Sequence, residues 1–164
     1  MSEGEAGAAG APSTAGSAGS TGGDATSALD APDEEQALIG FLESKQYASW
    51  AKESDYHPST GPHGDRVRVY YSPRAAQTLG DGDPTFPAGA AAVKELTSDT
   101  SLYGWAVWVK VQADTDAGNG FFWYERIAQG AGNYSIYGNA RGSADCVGCH
   151  QPGKDYNLST FPFE

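Results

Sequence analysis

Leu38, Ile39 and Leu42, followed by Tyr47 and Trp50, recur at the spacing of one helical face, so the chain predicts an amphipathic helix over 33–51. Asp30 or Asp33 is placed to cap it, and Glu34 and Glu35 suit its positive N-terminal end. Downstream the period shortens to two. The segments 66–71, 90–96, 102–112, 120–128 and 134–137 read as strands. In the third of them Trp105, Val107, Val109 and Val111 alternate with Ala106, Trp108, Lys110 and Gln112, which places one apolar row on a single sheet face. The Gly-rich connections at 114–119 and 129–133 are short, so neighbouring strands are expected to pair as antiparallel hairpins. A brief helix is expected at 73–77, and a turn of helix after residue 150. The fold class that follows is α+β: a mainly antiparallel meander with an N-terminal helix and short flanking helices.

The first segment has no such pattern. Over 1–31 the chain is almost entirely Gly, Ala, Ser, Thr, Pro and acidic residues, with no aromatic and one large aliphatic, Leu29. It buries too little apolar surface to offset its ordering entropy and reads as a tether in front of a domain at 32–164. The whole chain has 164 residues and a net charge of −11. That charge argues against nucleic acid and anionic membrane surfaces and favours basic or small partners. No stretch is long and apolar enough to span a bilayer as a helix.

The chemistry concentrates in Cys146-Val147-Gly148-Cys149-His150. Two residues between the cysteines let both sulfurs reach the vinyl-derived carbons on one porphyrin edge, and the adjacent imidazole ligates the iron. The motif therefore points to one covalently bound haem c held by Cys146 and Cys149, with His150 as proximal ligand. A redox dithiol and half of a zinc site share the Cys-x-x-Cys spacing. A dithiol is expected after an early strand of a βα unit, whereas this pair follows a run of strands. A closed zinc site needs two further ligands, and only His57 or His63 could join His150.

The sixth iron position is open, filled by water, or taken by a histidine or lysine, because the only methionine is Met1. His63 is the first candidate, in a tight loop between Pro62 and Gly64; His57 is the second. Arg66, Arg68 and Arg141 are alternative distal groups for an oxyanion or a haem propionate. Aromatics such as Tyr70, Trp108, Trp123 and Tyr124 could cover a porphyrin face, although alternation does not say which row does so.

Several pieces occur in a telling order: Val67-Arg68-Val69-Tyr70-Tyr71-Ser72-Pro73, Phe86-Pro87-Ala88-Gly89, Val93-Lys94-Glu95-Leu96, Gly104-Trp105, Trp123-Tyr124-Glu125, and the haem motif with Asp155-Tyr156 and Ser159-Thr160 behind it. Over about its last two thirds the chain resembles the cytochrome P-460 and cytochrome c-prime-beta superfamily, in which an antiparallel sheet with flanking helices carries one haem on a C-terminal Cys-x-x-Cys-His. Hydroxylamine-oxidising members carry a lysine cross-linked to the porphyrin, just upstream of the Phe-x-x-Gly stretch. Between Ala75 and Thr85 there is no lysine, and Lys94 is expected to pair with a carboxylate or face solvent.

The resemblance thus implies the uncross-linked branch, a cytochrome that transfers electrons or binds a small ligand such as nitric oxide, through a redox partner protein or the ligand itself. The alternative is a haem oxidoreductase acting on hydroxylamine or peroxide, which requires a distal acid or base. A homodimer is expected by analogy. Haem attachment of this kind takes place in bacteria outside the cytoplasmic membrane. A periplasmic or otherwise extracytoplasmic location is therefore expected, with an export signal or lipid anchor ahead of the tether.

Overall fold

The computed structural model describes residues 28–99 and 101–159. Most of the expected tether lies outside these residues. Its last part, however, belongs to the domain: Leu29 packs against the core, Ala31 is buried, and the Asp30 amide donates to the Gly89 carbonyl.

Over the described residues the protein is a mixed α+β fold with three α-helices around one antiparallel sheet. In chain order come α1 (Glu35–Glu43), a 3-10 turn (Gln46–Ser49), and the short strands β1 (Ala51–Lys52) and β2 (His57–Pro58). They are followed by β3 (Arg66–Tyr71), α2 (Pro73–Asp81), β4 (Ala91–Ser98), β5 (Ser101–Lys110), β6 (Phe121–Gly130), β7 (Asn133–Arg141) and α3 (Ala144–His150). Strands β3 to β7 form the expected meander, and β1 and β2 both pair with β3.

The helix expected over 33–51 is shorter, and neither aspartate caps it. Asp30 pairs with Arg74 at 2.7 Å and Asp33 with Arg141 at 3.6 Å, while Glu34 occupies the cap without a side-chain bond. The helix stops where the Ser44 hydroxyl donates back to the Gly40 carbonyl at 2.6 Å and Lys45 turns left-handed at φ 54°. This break lets Tyr47 swing into the core, where its hydroxyl donates to Glu95 Oε1 at 2.7 Å. The brief helix after Pro73 runs on to Asp81, started by the Ser72 side chain accepting from the Ala75 amide.

Both faces of the sheet are covered. Leu38, Phe41 and Leu42 of α1 pack with Val93, Val107, Val109 and Tyr124 on one side. Ala75 and Leu79 of α2 pack with Val69, Tyr71, Trp108 and Trp123 on the other, where Cys146 and Val147 of α3 also lie. The two alternating rows of β5 are therefore both interior, which is why no polar row marked a solvent face.

Candidate haem site

The second sheet face carries a dent built by strand register. Val69, Lys94, Ala106 and Glu125 pair in turn across β3, β4, β5 and β6. The next row on the same face is Tyr71, Ala92, Trp108 and Trp123. Ala92 and Ala106 are small where their neighbours are large, so a recess of about 50 Å³ forms over them. A cavity of about 660 Å³ opens beside it, within the range of cofactor sites. His63, Val69, Lys94, His150, Leu158 and Ser159 contribute to the walls of both.

Helix α3 delivers the motif to this place. Cys146 lines the recess and Cys149 the larger cavity. Cys146 is half-buried and Cys149 exposed, and neither is in a disulfide. Burial pushes the Cys146 thiol up. The helix is seated by Val147 on Gly118, where a Cβ would come within 2.6 Å of the valine side chain.

His150 is held from behind. The expected turn of helix after it is instead a tight loop, stapled by a bridge between Lys154 and Asn157, and the Tyr156 carbonyl lies 2.8 Å from His150 Nδ1. A carbonyl there makes Nδ1 the protonated nitrogen and leaves Nε2 as the lone-pair donor, the orientation a ligating imidazole needs. Burial keeps the ring below the usual imidazole range, which favours the neutral, ligating form. Trp123 covers one side, with ring centres 4.9 Å apart.

His63 stands beside His150, with the ring centres 6.1 Å apart and the two ring planes at 62°. Its Nδ1 lies 3.1 Å from Glu125 Oε2, and both side chains are largely buried, at 16% and 13% exposed. The loop that brings it here depends on Gly64, at φ 79°, where a Cβ would fall 1.6 Å from the Tyr103 hydroxyl. Gly64→Ala is expected to cost about 1–2 kcal/mol in thermal unfolding. It is also expected to release His63 from Glu125, seen as a shift of the His63 imidazole nitrogen resonances toward solvent values.

The other sequence candidates go elsewhere. His57 is exposed on the outer wall of the cavity, its Nε2 at 3.1 Å from Glu53 and its Nδ1 at 3.0 Å from the Pro58 carbonyl. Arg66 donates to the Tyr56 carbonyl, Arg68 to the carbonyls of Glu53 and Ser54, and Arg141 pairs with Asp33. Of the aromatics, Trp108 and Trp123 face the site, whereas Tyr70 and Tyr124 belong to the opposite core. Lys94 departs from expectation: it is half-buried on the cavity wall and forms no ion pair among the described residues, and burial lowers its pKa. Glu125 belongs to the Trp123-Tyr124-Glu125 piece of the resemblance, but no site role was expected of it. Its signal was the period-two pattern of β6, which puts Phe121, Trp123 and Glu125 on one face.

These residues suit a haem. Trp123, on the wall of the recess, keeps a buried Nε1–H without a partner among the described residues, a donor suited to an acceptor on a bound group. Among the described residues no three of His, Cys, Asp and Glu gather to hold a metal ion by protein atoms alone. A porphyrin would bring the equatorial donors itself, leaving only axial ones to the protein. No family model matches the sequence, and no curated protein matches it.

Proposed function

We propose that this chain is a monohaem c-type cytochrome of the cytochrome P-460 and c-prime-beta kind, carrying haem c on Cys146, Cys149 and His150. The observation that carries the reading is the seating of the motif on two adjoining hollows, Cys146 on the recess, Cys149 on the larger cavity and His150 on the walls of both, with His150 anchored through Nδ1. Bound there, the haem would supply one-electron redox chemistry, and it would bind a small ligand such as nitric oxide wherever its iron keeps a free position. The chain does the rest. Cys146 and Cys149 tether the group, His150 sets its axial field, and Trp108 and Trp123 exclude water from one side. Its working partners are a redox protein or the small ligand. Among the described residues no helix is long and apolar enough to cross a membrane. An extracytoplasmic location goes with the proposal, because thioether attachment belongs to that side.

Expression with an export signal in a host that matures c-type cytochromes tests it. The expected product is coloured and, after denaturation, heavier than the polypeptide by one haem; a colourless product of bare polypeptide mass refutes the reading.

One observation favours the oxidoreductase alternative enough to test. Glu125, His63 and Lys94 gather proton-transfer groups at the cavity. Turnover with hydroxylamine or peroxide by the same holoprotein would establish it, and none is expected without the cross-linking lysine.

A further inference from the structure

The two histidines that wall the cavity are matched in a way that the motif alone does not require. His150 has its Nδ1 on a backbone carbonyl and His63 has its Nδ1 on a carboxylate. The Nε2 of each has no hydrogen bond among the described residues. Two imidazoles that ligate one metal from opposite sides, with metal–nitrogen bonds of about 2 Å, have ring centres roughly 6 Å apart. The observed separation is 6.1 Å.

We infer that His63 is the second axial ligand of the iron and that Glu125 is its positioning residue, so that the cytochrome is six-coordinate and its task is electron transfer. The inference rests on the haem reading above. Glu125 is suited to the role by burial and by register. It follows Trp123 on the same strand face, stands across Ala106 from Lys94, and is exposed by only 13%, so its carboxylate keeps its hold on Nδ1 with little competition from water. A carboxylate on the far nitrogen raises the basicity of the ligating one and favours ferric over ferrous iron. His57 cannot take this place without giving up Glu53 or the Pro58 carbonyl, since both its nitrogens are engaged. Lys94 offsets the charge of Glu125 from two strands away.

The test uses the matured holoprotein, with absorption and electron paramagnetic resonance spectra, redox titration and carbon monoxide as probe. The ferric wild type is expected to be low-spin. In His63→Ala, and equally in His63→Gln, the iron is expected to turn high-spin and the ferrous form to gain at least about tenfold in carbon monoxide affinity, because the competing ligand is gone. Glu125→Gln is expected to stay low-spin with a raised midpoint potential and shifted g-values, while Glu125→Asp stays nearer the wild type. A haem-loaded wild type that is high-spin, or spectra unmoved by both His63 variants, overturns the axial assignment alone. Potentials and g-values unmoved by Glu125→Gln overturn the role of Glu125. Protein that emerges from maturation without haem overturns the reading beneath both.

Discussion

On the haem reading proposed above, replacing Cys146 and Cys149 together by serine should leave a protein that folds as before and retains no haem through denaturation. Serine differs from cysteine by one atom, neither cysteine is in a disulfide, with Cys149 exposed and Cys146 half-buried, and the hydrogen bond of Cys146 with Ser143 is one a serine hydroxyl can also make. The apo-protein should therefore unfold within about 0.5 kcal/mol of the wild type. Haem retention should fall completely, because His150 alone is a reversible ligand. Each single variant should hold its haem through one thioether. Cys149→Ser should be the milder in the apo-protein, since Cys146 contributes to the core beside Val147 and Tyr156. Haem staining after denaturing electrophoresis, together with the intact mass, reads the result. A double variant that keeps colour under denaturation would mean that other residues hold the group, and the motif would lose its meaning.

The parts of this architecture that could be read in advance are those that depend on local pattern. Strands β3 to β6 lie within a few residues of the alternating segments, because Val, Tyr and Trp at period two have few other ways to be buried. The same rule placed Trp123 and Glu125 on one face without saying what faces them. That information lies in register, and His63 meets Glu125 across 62 positions of sequence. The short strands β1 and β2 were invisible for a related reason: Ala51, Lys52, His57 and Pro58 are all exposed, and their strand state comes from β3 alone. The helix break at Lys45 was hidden because Tyr47 and Trp50 stay in the same apolar cluster after the turn. Lys94 was misjudged because lysine is ordinarily a surface residue, and only the small side chains of Ala92 and Ala106 beside it reveal a cavity.

Asp155→Ala should be the most destabilising single change in the domain. Lys110 is fully buried, with its ammonium 3.0 Å from Asp155 Oδ2 and donating to Thr115 Oγ1 at 2.7 Å. The same carboxylate accepts from the Phe86 amide at 2.7 Å and from the Thr115 hydroxyl. Its removal strands a buried ammonium, at a cost of about 3–5 kcal/mol. For a domain of this size that corresponds to a fall in Tm of roughly 10–15 °C. The loss also reaches the site. Asp155 and Tyr156 both have left-handed backbones, at φ 43° and 64°, a conformation that non-glycine residues hold only when anchored. With the anchor gone, the Tyr156 carbonyl should leave His150 Nδ1, and the ligating nitrogen would no longer be selected by its partner. Thermal unfolding of the apo-protein measures the first effect and the His150 imidazole resonances the second. Lys110→Met combined with Asp155→Leu should recover much of the stability, since it removes the buried charges together, but not the His150 geometry, because Phe86 and the loop backbone still lack their acceptor. An Asp155→Ala protein within about 1 kcal/mol of the wild type would show that the ion pair does not hold this loop. The orientation of His150 would then need another cause.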